Sequence, residues 1–160
     1  MLEFDFMSRS SIPFFLFLAL LSTSGCFGPG SVQPGASYST VMVTMDGQPV
    51  ENANITFAPV GNGRSAYGRT DAQGMAIMGT SNPGDGVFPG EYQVGVSKSE
   101  PDPEHIVHDV DAYHRKHGKF PELVMIYHTP KRYEDPASSG FSATIVADQS
   151  NELQLELTSK

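Results

Sequence analysis

The chain has 160 residues with 10 basic and 18 acidic side chains, a formal net charge of −8 and a single cysteine. That length suits one domain beside a processing segment. An acidic balance with no Lys/Arg cluster excludes a nucleic-acid footprint, which needs cations to neutralise phosphates, and the lone cysteine excludes an internal disulfide.

In chain order, the first element is an apolar run from Ile12 to Leu21, ending in Ser22-Thr23-Ser24-Gly25-Cys26. About ten apolar residues are half of what a membrane-spanning helix needs, but they suit the core of a secretory signal that closes on small residues. Glu3 and Asp5 precede the first cation, Arg9, and Met7 offers an alternative start with Met-Ser-Arg-Ser-Ser ahead of the run. Residues 1–25 are expected to be a signal peptide, and Cys26 the lipidated residue of the mature chain. Ser24-Gly25-Cys26 resembles the lipobox of bacterial lipoproteins, with Thr23 where Leu is usual. Lipidation would also account for an odd cysteine in an exported chain. Removing Glu3, Asp5 and Arg9 takes the 18 acidic and 10 basic residues to 16 and 9, net −7. Residues 26–36, rich in Gly and Pro, read as a tether from the membrane to a folded domain over 37–160.

That domain reads as short strands separated by turns. Val41, Val43 and Met45 alternate with Thr40, Met42 and Thr44, the period-2 signature of a strand, and Asp46-Gly47 then favours a tight hairpin. Ile55 and Phe57 share a face in the second strand, Ser65–Thr70 is the third, Asp71–Gly74 its turn, and Met75–Gly79 the fourth. After the Asn82–Gly86 loop come Tyr92, Val94 and Val96, then Phe141–Ala147, a turn to Asn151, and Leu153, Leu155 and Leu157 facing inward. Seven such strands predict an all-β, antiparallel, Ig-like or prealbumin-like sandwich.

One segment breaks this rhythm. Asp102-Pro103-Glu104 is a helix start and Gly118 a stop, so a helix is predicted over about 102–117 as an insertion between the fifth and sixth strands. Ile106, Val107, Val110 and Tyr113 would share one face and bury it against the sandwich edge. His105, His108, His114 and His117, with Asp109 and Asp111 between them and His128 beyond, are donors of the kind that Zn²⁺, Cu²⁺ or Ni²⁺ take. On one continuous helix the two His pairs point to opposite sides, which leaves at most one pair per ion. The site expectation is therefore no metal and no cofactor, with a metal-binding role for 105–117 as the alternative. Calcium at Asp46, Asp71 or Asp85 is weighed in the same way, since turn formation explains Asp beside Gly. No Gly-x-Ser-x-Gly elbow, phosphate loop or acid–base pair is visible, so no catalytic residue is assigned.

Val43–Phe57, Gly68–Gly74, Pro83–Val94 and Lys131–Val146 together resemble the carboxypeptidase regulatory-like, transthyretin-like domains of bacterial lipoproteins. The resemblance covers most of 40–157 and implies a prealbumin-like sandwich on an exported, lipid-anchored protein, without implying an activity. Transthyretin-related hydroxyisourate hydrolases are similar in fold but close on Tyr-Arg-Gly-Ser. That tetrapeptide does not occur in this sequence, which closes on Leu-Thr-Ser-Lys, so that enzyme is not expected. The functional expectation is a non-enzymatic module of the cell envelope. It would be held to a membrane through lipid on Cys26 and would take an envelope protein or polysaccharide, not nucleic acid, as partner.

Overall fold

The structure, a computed structural model, describes residues 31–160. The expected signal segment, Cys26 and the first part of the expected tether lie outside the described residues. Ten strands form: β1 Ser39–Met45, β2 Gln48–Pro49, β3 Asn54–Pro59, β4 Ala66–Arg69, β5 Met75–Ile77, β6 Gly90–Ser97, β7 Ser99–Pro101, β8 Met125–Tyr127, β9 Phe141–Ile145 and β10 Asn151–Leu157. One sheet sets β10 beside β1, whose other edge is shared by β2 and β5; a second runs β4-β3-β6-β9; β7 and β8 form a separate ribbon.

The all-β expectation holds, and the alternating residues face as expected. Val41, Val43, Leu155 and Leu157 from the first sheet meet Ile55, Phe57, Tyr92, Val94, Val96 and Ile145 from the second in one buried cluster. Period-2 alternation produces this, because each strand turns only one set of side chains toward the opposite sheet. Asp46 and Gly47, at φ 50° and 79°, make the tight β1–β2 turn that their dipeptide favours.

Two expectations are corrected here. The strands are not all antiparallel: β1 and β10 run parallel over their full length, from Ser39 beside Asn151 to Met45 beside Leu157. A first and a last strand need no hairpin between them. This register sets Val41 beside Leu153 and Val43 beside Leu155, which keeps both inward faces in phase.

The helix over 102–117 is the second correction. Asp102 does cap, accepting from Glu104 N–H at 3.0 Å, but the turn it starts is a single 3₁₀ turn, Pro103–His105. The chain is then extended at Ile106, and Asp109 caps a second start by accepting from Ala112 N–H at 2.7 Å. The helix α1 spans only Val110–His117 and ends on Gly118 at φ 70°. Two capping aspartates with β-branched Ile106 and Val107 between them favour two short starts over one helix. Ile106 and Val107 are thus off the helix, and α1 buries none of its residues.

The return from β8 to β9 packs onto the second sheet. A Cβ at Gly95 would lie 2.5 Å from the Glu134 carbonyl oxygen and 3.0 Å from Pro136, so the close approach requires glycine in the middle of β6. Tyr133 stacks on Phe141 with ring centroids 5.2 Å apart, and its hydroxyl lies 3.2 Å from Thr158 Oγ1. Arg132 reaches the carbonyl and hydroxyl of Thr158 and the carbonyl of Lys160, pinning the C-terminal segment.

Candidate functional site

Two surfaces stand out from this frame. The first is an open cleft of about 650 Å³ where the β4–β5 hairpin passes between the sheets. Tyr67 and Gly79 exchange backbone hydrogen bonds at 2.7 and 2.9 Å, yet β4 continues along β3 while β5 continues along β1. The two strands therefore splay, and Tyr67, Met75 and Ile77 line the opening with Asn54, Arg69 and Asp71 at its polar side.

The 79–84 loop closes one wall and is held rigid by Asp85. This buried carboxylate accepts from the N–H groups of Thr80 and Asn82 at 2.7 Å, from Ser81, and from the Gln33 amide. Burial pushes its pKa up, but those donors outweigh burial and hold it below the usual carboxylate range. Asp71 is spent similarly, its Oδ1 accepting from Gln73 and Met75 N–H at 2.9 Å. Asp46 accepts from Ser159 N–H, and Ser159, through its side chain first and its N–H second, holds the Asp46 pKa below the usual range. All three aspartates considered for calcium are thus engaged by backbone donors. The cleft lining offers surface for binding, with no His, Cys or Lys beside its one carboxylate.

The second surface is the excursion between β6 and β9, which carries every histidine of the chain. Residues 98–130 leave the sandwich after Ser97 and return at Thr129, whose hydroxyl accepts from Lys98 N–H at 2.8 Å. His128 N–H donates to the Lys98 carbonyl at 2.8 Å and Asp102 N–H to the Val124 carbonyl at 2.8 Å, so β7 and β8 form the stem of an arm. The arm's apolar residues stay exposed: Phe120 by 65 % and Leu123 by 69 %, with Ile106, Val110, Val124, Ile126 and Tyr127 also open to solvent.

The expected histidine constellation is dispersed. His105 Nδ1 lies 2.8 Å from Asp102, and the Glu104 N–H and this imidazole hold the Asp102 carboxyl below its ordinary pKa. His128 Nε2 lies 2.9 Å from Glu100. His114 stacks on Phe120 and His117 lies tilted against Tyr113, each with centroids 4.4 Å apart. Among the described residues, no group of three or more His, Cys, Asp or Glu side chains gathers as a metal ion would require. None of their helices is long and apolar enough to cross a membrane.

Sequence reasoning passed over two features: the cleft and the β8 strand. The cleft has no local signal, because it arises from a hairpin whose strands join different sheets. β8 does have one, the uncharged run Leu123–Tyr127 bounded by Pro121 and Pro130. Comparison with protein-family models, with curated proteins and with solved structures finds no match to the chain.

Proposed function

We propose that this chain is an exported, lipid-anchored, non-enzymatic binding module of the cell envelope, built on a seven-stranded prealbumin-like sandwich of the carboxypeptidase regulatory-like type. One observation carries the reading: the tether side and the arm lie at opposite ends of β6. Ser37, where the tether joins the domain, pairs with Val87 just before β6, whereas the arm departs from Ser97 at its far end. Eight residues at strand rise separate the two by about 24 Å. A domain anchored at one end would present the arm, with its exposed apolar residues, away from the anchor.

The fold assignment draws support from the main sheets. Setting aside the two-residue β2, they contain seven strands, at the segments whose alternation suggested them. The quoted motifs fall at the β1–β2 turn, the β4–β5 turn, the loop entering β6, and the return into β9.

Metabolic labelling with a palmitate analogue and membrane fractionation test the anchor. The wild-type chain is expected to take up label and sediment with membranes, and Cys26→Ala to lose both. An unlabelled wild type whose fractionation is unaffected by Cys26→Ala would overturn the anchored reading.

A further inference from the structure

The β7–β8 ribbon guards one of its edges and leaves the other open. Its hydrogen bonds join residue 98 to 128 and 102 to 124, so in β8 the even-numbered residues turn their backbone groups toward β7. The N–H and C=O groups of Leu123, Met125 and Tyr127 therefore point away from it, and among the described residues no strand pairs with them. On β7 the outward positions are Ser99 and Pro101, and Pro101 has no N–H to offer. Natural sheets blunt exposed edges with proline, charge or bulges. β8 has none of these between Glu122 and His128, only five uncharged apolar residues.

We infer that β8 is an interaction edge whose occupant is β8 of a second copy of this chain, the two strands pairing antiparallel about a two-fold axis through Met125. Three observations select this occupant and register. First, the pairs that this register makes are compatible ones. Met125 meets itself, Leu123 meets Tyr127, Val124 meets Ile126, and Glu122 meets His128. Aromatic–aliphatic and β-branched cross-strand pairs of this kind stabilise sheets, and a two-fold interface demands such matching. Second, neighbouring registers make fewer outward pairs. Moving the axis to Val124 or Leu123 brings Pro121, which has no N–H, opposite Tyr127 or Met125, and moving it to Ile126 or Tyr127 requires Thr129, which is buried at the root of the arm. Third, the arm carries Glu100, Asp102, Glu104, Asp109, Asp111 and Glu122 against Lys98, Arg115, Lys116 and Lys119. Its net negative charge opposes an anionic lipid surface, while the polar ends that meet in this register are of opposite type, Glu122 of one copy against His128 of the other.

The inference does not depend on the lipid anchor. It is tested on the full chain with single cysteines introduced at 124, 125 and 126, the parent with only Cys26 as control. In the stated register Met125→Cys places two Cα atoms about 5.5 Å apart, within disulfide reach, while Val124→Cys and Ile126→Cys each face a different residue. Mild oxidation with diamide is expected to give a disulfide-linked dimer from Met125→Cys, about tenfold more than from either neighbour. Met125→Pro, which removes the outward N–H and spares the β7 bonds, is expected to halve the mass by light scattering while leaving the far-ultraviolet spectrum of the sandwich unchanged. Equal cross-linking at all three positions, a wild-type mass of one chain, or trapping of Met125→Cys onto a different envelope protein would each overturn self-pairing.

Discussion

The sandwich and the arm are made from one chain by opposite rules. In the sandwich, side chains alternate and the inward set is buried: Val41, Val43, Phe57, Val94 and Leu157 are wholly buried. Its polar residues are also closed off, as with Thr70, whose hydroxyl donates to the Val50 carbonyl at 2.6 Å and accepts from Ala53 N–H at 2.7 Å. In the arm, local hydrogen bonds set the shape and apolar groups remain outside. Asp102 and Asp109 cap two short turns, and α1 contributes nothing to a core. The difference teaches that stability and display are separated in this chain. Substitutions should therefore divide by region.

The largest effect is expected at Phe57, which packs on Tyr92 with centroids 5.6 Å apart at the centre of the shared core. Phe57→Ala should cost about 3–5 kcal/mol in chemical denaturation, since the cavity adds to the lost transfer energy. A change below about 1 kcal/mol would mean that the two sheets do not share this core. Thr70→Val keeps the volume but strands Ala53 N–H and the Val50 carbonyl, so a loss of about 1–3 kcal/mol is expected.

A subtler contrast lies in two tyrosines of the sandwich. Burial raises the pKa of Tyr92, whereas hydrogen bonds from the Thr158 hydroxyl and N–H and from Arg132 lower that of Tyr133 from 10.0 to about 8. Between those two values the unfolded chain keeps the Tyr133 proton that the folded chain has released. Stability should therefore rise with pH across that window and be lost again as pH falls through about 8. Ultraviolet titration should show one early phenolate that Tyr133→Phe abolishes. A single transition near the ordinary tyrosine value would contradict the Thr158–Arg132 cradle.

How much was legible in the sequence follows the same division. Alternation at Val41–Met45, Tyr92–Val96 and Leu153–Leu157 reads directly as strands, because a period of two is a property of the strand itself. The parallel pairing of β1 with β10 was not legible, since it joins residues more than a hundred positions apart and leaves no local trace. The helix misread has a local cause: Asp102-Pro103 and Asp109 are both sound starts, and sequence alone does not say which one propagates. The histidines looked like a constellation because they lie close in sequence. The structure instead gives His105 to Asp102 in the first turn, His128 to Glu100 across the ribbon, His117 to Tyr113 within α1 and His114 to Phe120 beyond it.

Excision of the arm tests the separation most directly. Lys98 and His128 are hydrogen-bonded neighbours, so residues 99–127 can be replaced by Asn-Gly, a dipeptide suited to closing such a ribbon. The shortened chain is expected to unfold cooperatively with a free energy within about 1 kcal/mol of the parent, because shortening a surface excursion changes loop entropy little. By light scattering it should also have the mass of a single chain. A chain that fails to fold, or loses several kcal/mol, would place the arm in the sandwich's stability and contradict the account.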